Sequence, residues 1–311
     1  MALNELNLRF FHSVATTGSL SAAAEDLHVA VSAVSRQISN LEDSLGMRLF
    51  ERKPRGMALT GPGEILLAYA ERNRLEVSNV VAEMRGLNTL QQYNIRIACT
   101  EGMAWHYLPA LMAQFRRQQP GARFALQVVD AGQASQLVKE GKADLALTFS
   151  LSPLVGVEVA YSLEAPICAL MPASHPLASH RSLSVRDLQP YPLALSSPDT
   201  TLHYLFDTAC HLHGLTLLPT FSSDSLGTIY TTTRYSDEVV ALCAEITVRG
   251  RAEHDGLVLV PMSDRPLLQR SLQVQVMAGR KLPAMLQCFL DSLIDALAAP
   301  AAATRSQPMP D

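Results

Sequence analysis

The sequence predicts a fold of class α + α/β, in which a small helical domain precedes a larger domain of alternating strands and helices. Three observations predict it. The first 60 residues show short helical patterns that end in a basic segment, and one long helical pattern follows up to about residue 90. Beyond residue 94, strand and helix patterns alternate. A chain of 311 residues also exceeds the length of one ordinary core.

Composition narrows the class of protein. The chain is 48% hydrophobic and 17% charged, and no apolar run approaches the roughly 20 residues that a membrane-spanning helix requires. Its first residues include charged side chains where a signal peptide needs an apolar stretch, so we expect a cytoplasmic protein without a membrane partner. The five cysteines are widely spaced and form no C-x-x-C pair, which argues against a disulfide framework or a zinc knuckle. The net charge of −4 means that binding of nucleic acid requires a local basic patch.

The first 45 residues predict three short helices. Apolar residues recur at spacings of three and four over about residues 4–17, and Gly18 ends that pattern. Ser21 is the expected N-cap of a second helix, whose three consecutive alanines allow another helix to pack closely. The third helix follows after only residues 28–30, as in a helix-turn-helix.

The third helix has one face for the core and one face that suits a DNA groove. The core face consists of Val31, Val34, Ile38, Leu41 and Leu45. The opposite face offers hydroxyls, an amide and a guanidinium, and its candidate DNA contacts are Ser32, Ser35, Arg36 and Ser39. Arginine can present two donors to guanine, so Arg36 with Ser35 is the candidate for base contact. Contact with phosphates alone is the alternative.

A basic segment follows the third helix. Residues 46–60 hold four basic residues and one acidic residue, a balance of +3, whereas residues 1–45 hold two basic and five acidic residues. We therefore place Arg52, Lys53 and Arg55 on a wing that contacts phosphates or the minor groove. A solvated charged loop is the alternative.

A long helix is predicted from Pro62 to about residue 90, because proline is tolerated in the first turn of a helix. Its later half repeats apolar residues at spacings of three and four, the pattern of a two-helix seam. The predicted dimerisation residues are Val77, Val80, Met84 and Leu87. Packing of this stripe on the same chain is the alternative.

Two runs of alternating strand and helix predict two similar α/β lobes. The first run covers residues 95–149, with one helix over 103–118, and the second covers 193–242, with a strand over 217–221. Residues 157–171 are expected to be an extended crossover, and a last strand and helix over 272–298 return to the first lobe. The tail at 300–311 lacks apolar periodicity and is expected to be disordered.

Over essentially its whole length the chain resembles the LysR-type transcription regulators. The segment SLSAAAEDLHVAVSAVSRQISNLEDSLGMRLFERKPRGMALTGPGE is similar to that family's helix-turn-helix, wing and start of linker helix. The segment LPALMAQFRRQQPGARFALQVVDAGQASQLVKEGKADLALTF is similar to the first half of its effector domain. Two features depart from the family. Ala30-Val31-Ser32 replaces the frequent Ser-Gln-Pro start of the recognition helix, which removes a polar cap, and CAEITVRGRAEHDGLVLVPM replaces a glycine-rich hairpin.

The resemblance implies a winged helix-turn-helix, a long linker helix and a two-lobed α/β effector domain of the periplasmic-binding-protein type. We place these parts at residues 1–60, 61–91 and 92–299, with lobe I at about 92–160 and 268–299 and lobe II at about 161–267. It also implies a homodimer or homotetramer on a double-stranded DNA operator, which changes its arrangement when a small-molecule effector closes the lobes. RNA polymerase is a candidate further partner.

The resemblance also provides the effector-binding candidates, which follow the strands of the two lobes. These are Thr100, Glu101, Gly102, Gly132, Thr148, Ser196, Ser197, Thr200 and Ser225, of which about half are expected to be ordinary N-caps. Acidic residues lie in the same loops, at Glu101, Asp130, Asp199 and Asp224, and no lysine or arginine does. We therefore expect a neutral or amine-bearing effector, although helix N-termini favour anions.

Other functions have less support. A periplasmic solute-binding protein would have a signal peptide and no basic winged domain in front. An enzyme on this fold would need a nucleophile elbow, a P-loop, a dinucleotide fingerprint or a paired metal motif, and none occurs, so we expect neither enzymatic activity nor a cofactor. His203, Asp207 and Cys210 share one helix face and suggest a metal or redox site. An ordinary helix face is favoured, because metal sites usually take ligands from more than one element.

Overall fold

The structure, a computed structural model, describes residues 3–54, 56–86, 93–152 and 154–299. The chain divides into two compact units, the first made of residues 1–89 with 279–281 and the second of the remaining residues. Arg55, Leu87 and the tail at 300–311, all of which carry predictions, lie outside the described residues. None of the described helices combines the length and the hydropathy needed to cross a membrane.

The first unit contains the predicted three helices, hairpin and long helix. In chain order they are α1 (Glu5–Thr17), α2 (Leu20–Leu27), α3 (Val31–Leu45), β1 (Phe50–Lys53), β2 (Gly56–Leu59) and α4 (Gly61–Gly86). The two strands pair antiparallel, with Phe50 opposite Leu59. The predicted cap of α2 at Ser21 is wrong. Gly18 ends α1 in the left-handed region, so the chain is already extended at Ser19, whose side chain accepts from the N–H of Ala22.

The core of the first unit forms where the predicted apolar face of α3 packs on α1 and the hairpin. Val34, Ile38 and Leu41 are buried, and the ring of Phe11 lies 5.3 Å from that of Phe50. Val31 was assigned to this face but is 44% exposed, because it begins the helix beyond the edge of the core.

The hairpin is fixed to the helices by backbone contacts. The Glu42 carboxylate on α3 accepts from the N–H groups of Leu49 (2.7 Å) and Phe50 (3.1 Å), just where β1 begins. On the next strand, the N–H of Met57 donates to the carbonyl of Gly18 at 2.7 Å. Gly56 has a φ of +130°, and a Cβ there would collide with the same Gly18 carbonyl, so this close approach requires glycine.

The described part of the second unit begins at residue 93 and contains two sheets. The elements up to the second sheet are β3 (Tyr93–Cys99), α5 (Glu101–Ala104), α6 (Tyr107–Gln118), β4 (Ala122–Val128), α7 (Ala131–Lys139), β5 (Leu145–Ser150) and β6 (Val157–Glu164). The others are β7 (Ile167–Pro172), β8 (Leu193–Ser196), α8 (Thr201–Leu212), β9 (Phe221–Ser223), α9 (Leu226–Arg234), β10 (Val240–Ala244), α10 (Glu245–Val248), β11 (Leu257–Pro261), a 3-10 turn (Arg265–Leu268), β12 (Ser271–Met277) and α11 (Ala284–Ala298).

Each sheet has a parallel half formed by one βαβαβ run. The first sheet has the strand order β4-β3-β5-β12-β6, and the second has the order β11-β7-β10-β8-β9. β3 is parallel to β4 and β5, and β8 is parallel to β9 and β10, as predicted. β12 joins the first sheet antiparallel to β5 and β6, so the chain returns to the first lobe as predicted.

Four local predictions need correction. The expected crossover at 157–171 is two strands in different sheets, and β6 continues the first sheet past residue 160 to Glu164. The single helix predicted over 103–118 is broken between α5 and α6, since His106 has a non-helical backbone. The strand predicted over 217–221 lies instead at Phe221–Ser223. β11 was not predicted, and it forms in the segment that departs from the family pattern.

The two lobes, each consisting of one sheet and its helices, share packing where the chain passes between them. Ala244 and Ile246 of the second lobe belong to the core of the first. Trp105 of the first lobe packs against the core of the second, with its ring 4.9 Å from that of Tyr230.

Candidate functional site

A groove runs along the surface between α3 and the hairpin. Its lining includes the candidates Ser35, Ser39 and Arg52 together with Arg48 and Glu42. The structure thus brings one part of the predicted recognition helix and one part of the predicted wing to the same concave surface. Of the remaining candidates, Ser32 and Arg36 are exposed on α3, and Lys53 is exposed on β1.

Three arginines on α3 and after it have no partner among the described residues. Arg36, Arg48 and Arg52 are exposed, and within the described residues no hydrogen bond or ion pair involves their guanidinium groups. The acidic residue on the hairpin, Glu51, lies 4.0 Å from the ammonium of Lys53. Sequence reasoning counted Arg48 in the charge balance of the segment but did not name it as a site residue.

The turn that leads into α3 departs from the usual helix start. Ala30 is the N-cap and makes no side-chain hydrogen bond, as expected from the missing polar residue. His28 ends α2 with a φ of 55°, in the left-handed region that normally favours glycine. The N–H of Val29 donates to the carbonyl of Ala24 at 2.9 Å, so the turn is closed by the backbone alone.

The predicted seam on α4 is exposed in the single chain. The exposed fractions of Val77, Val80 and Met84 are 55%, 49% and 64%, so about half or more of each residue is open to solvent in the single chain. Nearer the start of α4, Glu71 is buried and bonds His12 of α1 at 2.6 Å. Burial alone would raise the pKa of Glu71, but hydrogen bonds from His12 and Arg74 hold it below the ordinary value.

In the second unit, Glu101 links the two lobes. Its carboxylate, at the start of α5, accepts from the N–H of Leu226 (2.6 Å) and the hydroxyl of Ser225 (3.3 Å), where α9 begins. Burial raises the pKa of Glu101, and the hydrogen bonds from Leu226 and Ser225 only partly offset that effect. The candidates Glu101 and Ser225 are therefore brought together and bonded to each other.

The candidates at the start of α8 also have internal partners. The hydroxyls of Ser196 and Thr200 lie 2.7 Å apart, and Thr200 caps α8 by accepting from the N–H of His203. The carbonyl of Ser197 accepts from the Thr200 hydroxyl at 2.9 Å. Thr201, which sequence reasoning did not select, donates across the lobes to the carbonyl of Phe149 at 3.2 Å.

Two of the candidates carry polar atoms without an internal partner. The hydroxyls of Thr100 and Thr148 are buried and have no hydrogen-bond partner in the structure. Thr148 lies opposite Gln273 in the register between β5 and β12. A buried hydroxyl without a partner is costly, so these two atoms are the best placed of the candidates to bond a ligand.

The glycine candidates differ from each other. Gly102 is closely approached, because a Cβ there would lie 2.9 Å from the Thr247 side chain on α10. Gly132 is exposed near the start of α7, beside Asp130, whose carboxylate accepts from the N–H of Gln133 at 2.8 Å.

The face of α8 suggested as a metal or redox site has other contacts. The Nδ1 atom of His203 lies 2.8 Å from the carbonyl of Ser196, and its Nε2 atom lies 3.7 Å from Asp207. Burial raises the pKa of the Cys210 thiol to about 11. Across the residues that the structure describes, no three metal-binding side chains are grouped.

Comparisons with known proteins cover both units. Residues 6–64 match the family "Bacterial regulatory helix-turn-helix protein, lysR family", and residues 88–298 match "LysR substrate binding domain". A probable nitrogen assimilation transcriptional activator of Synechococcus elongatus is 27% identical over 85% of each chain. A RuBisCO operon transcriptional regulator of Allochromatium vinosum is 30% identical over 58% of this chain and 60% of its own.

Solved structures show the same fold. Full-length OxyR C199D from Pseudomonas aeruginosa has a TM-score of 0.61 at 20% identity and covers 98% of this chain and 99% of its own. A putative LysR family regulator from the same organism has a TM-score of 0.53 at 24% identity, covering 94% and 98%. The predicted fold class of a helix-turn-helix domain and a two-lobed domain is confirmed.

Proposed function

The chain belongs to the LysR family of transcription regulators, with a helix-turn-helix domain and an effector-binding domain, and from this premise we propose which of its residues bind the operator. α3 lies in the major groove of double-stranded DNA, and the hairpin lies against the adjacent backbone. This proposal rests on the groove lined by Ser35, Ser39 and Arg52, because its arginines, Arg48 and Arg52, have no partner among the described residues.

The two sets of residues have different roles on the DNA. Arg36, with Ser32, Ser35 and Ser39 beside it on α3, contacts base edges or the groove wall. The basic residues at the hairpin bind phosphates, which sets the register of the protein on the duplex without reading its sequence. This second set consists of Arg48, Arg52, Lys53 and Arg55.

Binding to the DNA upstream of the protein's own gene tests this division. Arg36→Ala is expected to cost about 1–3 kcal/mol of binding free energy, roughly 5- to 150-fold, on that DNA and less on unrelated DNA. Arg52→Ala should weaken binding to both and reduce the slope of log K against log salt by about 1. Arg116→Ala, which removes an exposed arginine from α6, is the control. Equal binding by all three variants would refute the assignment.

The exposed stripe on α4 supports a homodimer, or a homotetramer built from dimers. Val77, Val80 and Met84 are exposed in the single chain and spaced as in a two-helix seam. We assign Leu87 to the same seam by its spacing. We retain 61–91 as the linker and place the protein in the cytoplasm with its DNA, where RNA polymerase is a further partner.

A small-molecule effector in the cleft between the lobes is proposed to bond the hydroxyls of Thr100 and Thr148, beside Gly102, Gly132 and the loop at 196–200. The carboxylates of Glu101 and Asp130 already accept backbone N–H groups. Of the four acidic residues near the cleft, this leaves the exposed Asp199 and Asp224 to attract an amine-bearing effector. Thermal-shift screening tests this. Stabilisation by amines or neutral amides that is lost in Thr148→Val supports it. Stabilisation by carboxylates that is lost in the same variant would contradict it.

A further inference from the structure

Arg270 is a buried arginine without a carboxylate partner, at the point where the chain returns from the second lobe to the first. Its side chain is 5% exposed. The guanidinium carbon lies 4.3 Å from the centre of the Phe149 ring, and Nε lies 3.5 Å from the carbonyl of Ala165. Among the residues that the structure describes, no carboxylate forms an ion pair with it.

These contacts do not neutralise the charge of Arg270. Burial lowers the pKa of this guanidinium to about 10, which still leaves it charged at neutral pH. The Phe149 ring attracts a cation, and the one hydrogen bond among the described residues, from Nε to the Ala165 carbonyl, is long. The two Nη atoms are not among the buried atoms that lack a partner, so the end of this largely buried side chain reaches solvent with no counter-ion among the described residues.

Two thiols interact electrostatically with Arg270, and neither becomes negative at neutral pH. Cys168 on β7 and Cys243 on β10 face each other in the register of the second sheet, close to Arg270. Burial raises the pKa of Cys168 to about 11 and that of Cys243 further. Both remain protonated, so the described residues provide no counter-charge for Arg270.

We propose that Arg270 anchors an anion-binding subsite at the hinge between the lobes, and that its ligand is a small carboxylate monoanion. A planar guanidinium offers two parallel N–H donors, the geometry that a carboxylate accepts. Phe149 covers one face of the group, and the Nη atoms, which are not among the buried atoms without a partner, form the edge open to a ligand. The apolar ring and the neutral thiols favour a monoanion over a phosphate dianion, because the dianion loses more hydration on burial.

This subsite is distinct from the effector cleft. Phe149 points into the core of the first lobe, whereas Thr148, its neighbour along β5, points to the opposite face of the sheet. Arg270 and Ala165 also lie on the two segments that connect the lobes, and the N–H of Ala165 donates to the Arg270 carbonyl at 2.9 Å. An anion bound there stabilises the hinge without occupying the cleft.

Thermal unfolding of the full-length protein in sodium formate, acetate, chloride and phosphate, at constant ionic strength and without DNA, tests the proposal. Formate and acetate should raise the melting temperature saturably by about 2–4 °C, and phosphate should not. Arg270→Met should abolish the response without lowering the starting melting temperature, because it removes an unpaired buried charge. Arg116→Met, an exposed arginine, and Thr148→Val, in the effector cleft, should both retain it.

An unchanged response to formate in Arg270→Met, or no saturable response in the wild type, would overturn the proposal. If Arg270→Met does not unfold cooperatively, the formate response of Arg270→Lys tests the proposal instead. It keeps the charge but loses the paired donors, so the formate concentration at half response should rise at least about tenfold. An equal half-response concentration in Arg270→Lys would also overturn it. Operator binding is not part of this readout, so failure here leaves the DNA-binding proposal unaffected.

Discussion

Removal of the Glu101 carboxylate should loosen the contact between the lobes. In Glu101→Ala, the N–H of Leu226 loses its 2.6 Å acceptor and the Ser225 hydroxyl loses a weaker one at 3.3 Å. Alanine leaves the N–H of Leu226 without its acceptor, which costs about 1–3 kcal/mol. We expect a net loss of about 2 kcal/mol, or roughly 4–8 °C in melting temperature.

Glu101→Gln separates the hydrogen bond from the charge. Its amide oxygen still accepts from Leu226, so the loss should stay below about 1 kcal/mol at neutral pH. Because the pKa of Glu101 is raised from 4.5, the folded state favours the protonated form, and the added stability from this preference is complete below pH 4.5 and is lost as the pH rises through the folded value. The stability of the wild type relative to Glu101→Gln should therefore decrease with rising pH just above 4.5.

The assay uses the fluorescence of Trp105, the single tryptophan, which packs on Tyr230 across the lobes. In Glu101→Ala its emission should shift to longer wavelength before the main unfolding transition, since the lobes separate there first. Glu253→Ala, at an exposed position of the second lobe, is the control. Emission and melting temperature in Glu101→Ala equal to those of the control would refute the role of this contact.

Three further outcomes are expected in the first unit. Gly63→Ala should lower stability by about 1–3 kcal/mol in thermal unfolding, because a Cβ there collides with the backbone carbonyl of Leu49. Normal stability would mean that this approach is looser than described. His28→Gly should raise the free energy of unfolding by about 0.5–1 kcal/mol. It relieves a left-handed backbone strain of about 1–2 kcal/mol, and the extra chain entropy of glycine cancels part of that gain. A lower free energy of unfolding would contradict the strain. Val80→Asp places a charge in the seam and should shift sedimentation towards the monomer. Ser78→Asp, outside the seam, is the control and should leave sedimentation unchanged. Identical sedimentation of the two variants would exclude the seam.

The elements that the sequence predicted correctly are those with strong local patterns. Val34, Ile38 and Leu41 repeat at helical spacing, and the third helix forms where that repeat lies. The break between α5 and α6 has no such local signal. It accompanies the packing of Trp105 on Tyr230, a residue far along the chain, and single-sequence periodicity does not contain that contact.

The sequence predicted which residues lie near the cleft, but not which hydrogen bonds and ion pairs they form. Glu101 was identified as acidic and near the cleft, but its bond to the N–H of Leu226 depends on how the second lobe lies against the first. Arg270 was not selected, because it precedes a strand of the first sheet and shares no loop with the other candidates. Tertiary packing determines whether a carboxylate lies beside Arg270, and the positions of charges along the sequence do not reveal this.

The attachment of the hairpin to α3 and to the α1–α2 turn limits how a signal can alter DNA reading. Glu42 holds the start of β1, and the Gly18 carbonyl holds Met57 on β2, so the hairpin is bonded to α3 and to the end of α1. The distance between the base-reading and phosphate-binding surfaces of one copy is therefore constant. For the proposed dimer, we therefore expect an effector to change the spacing or angle between its two helix-turn-helix domains on the operator, so half-site spacing, more than half-site sequence, should distinguish its two states.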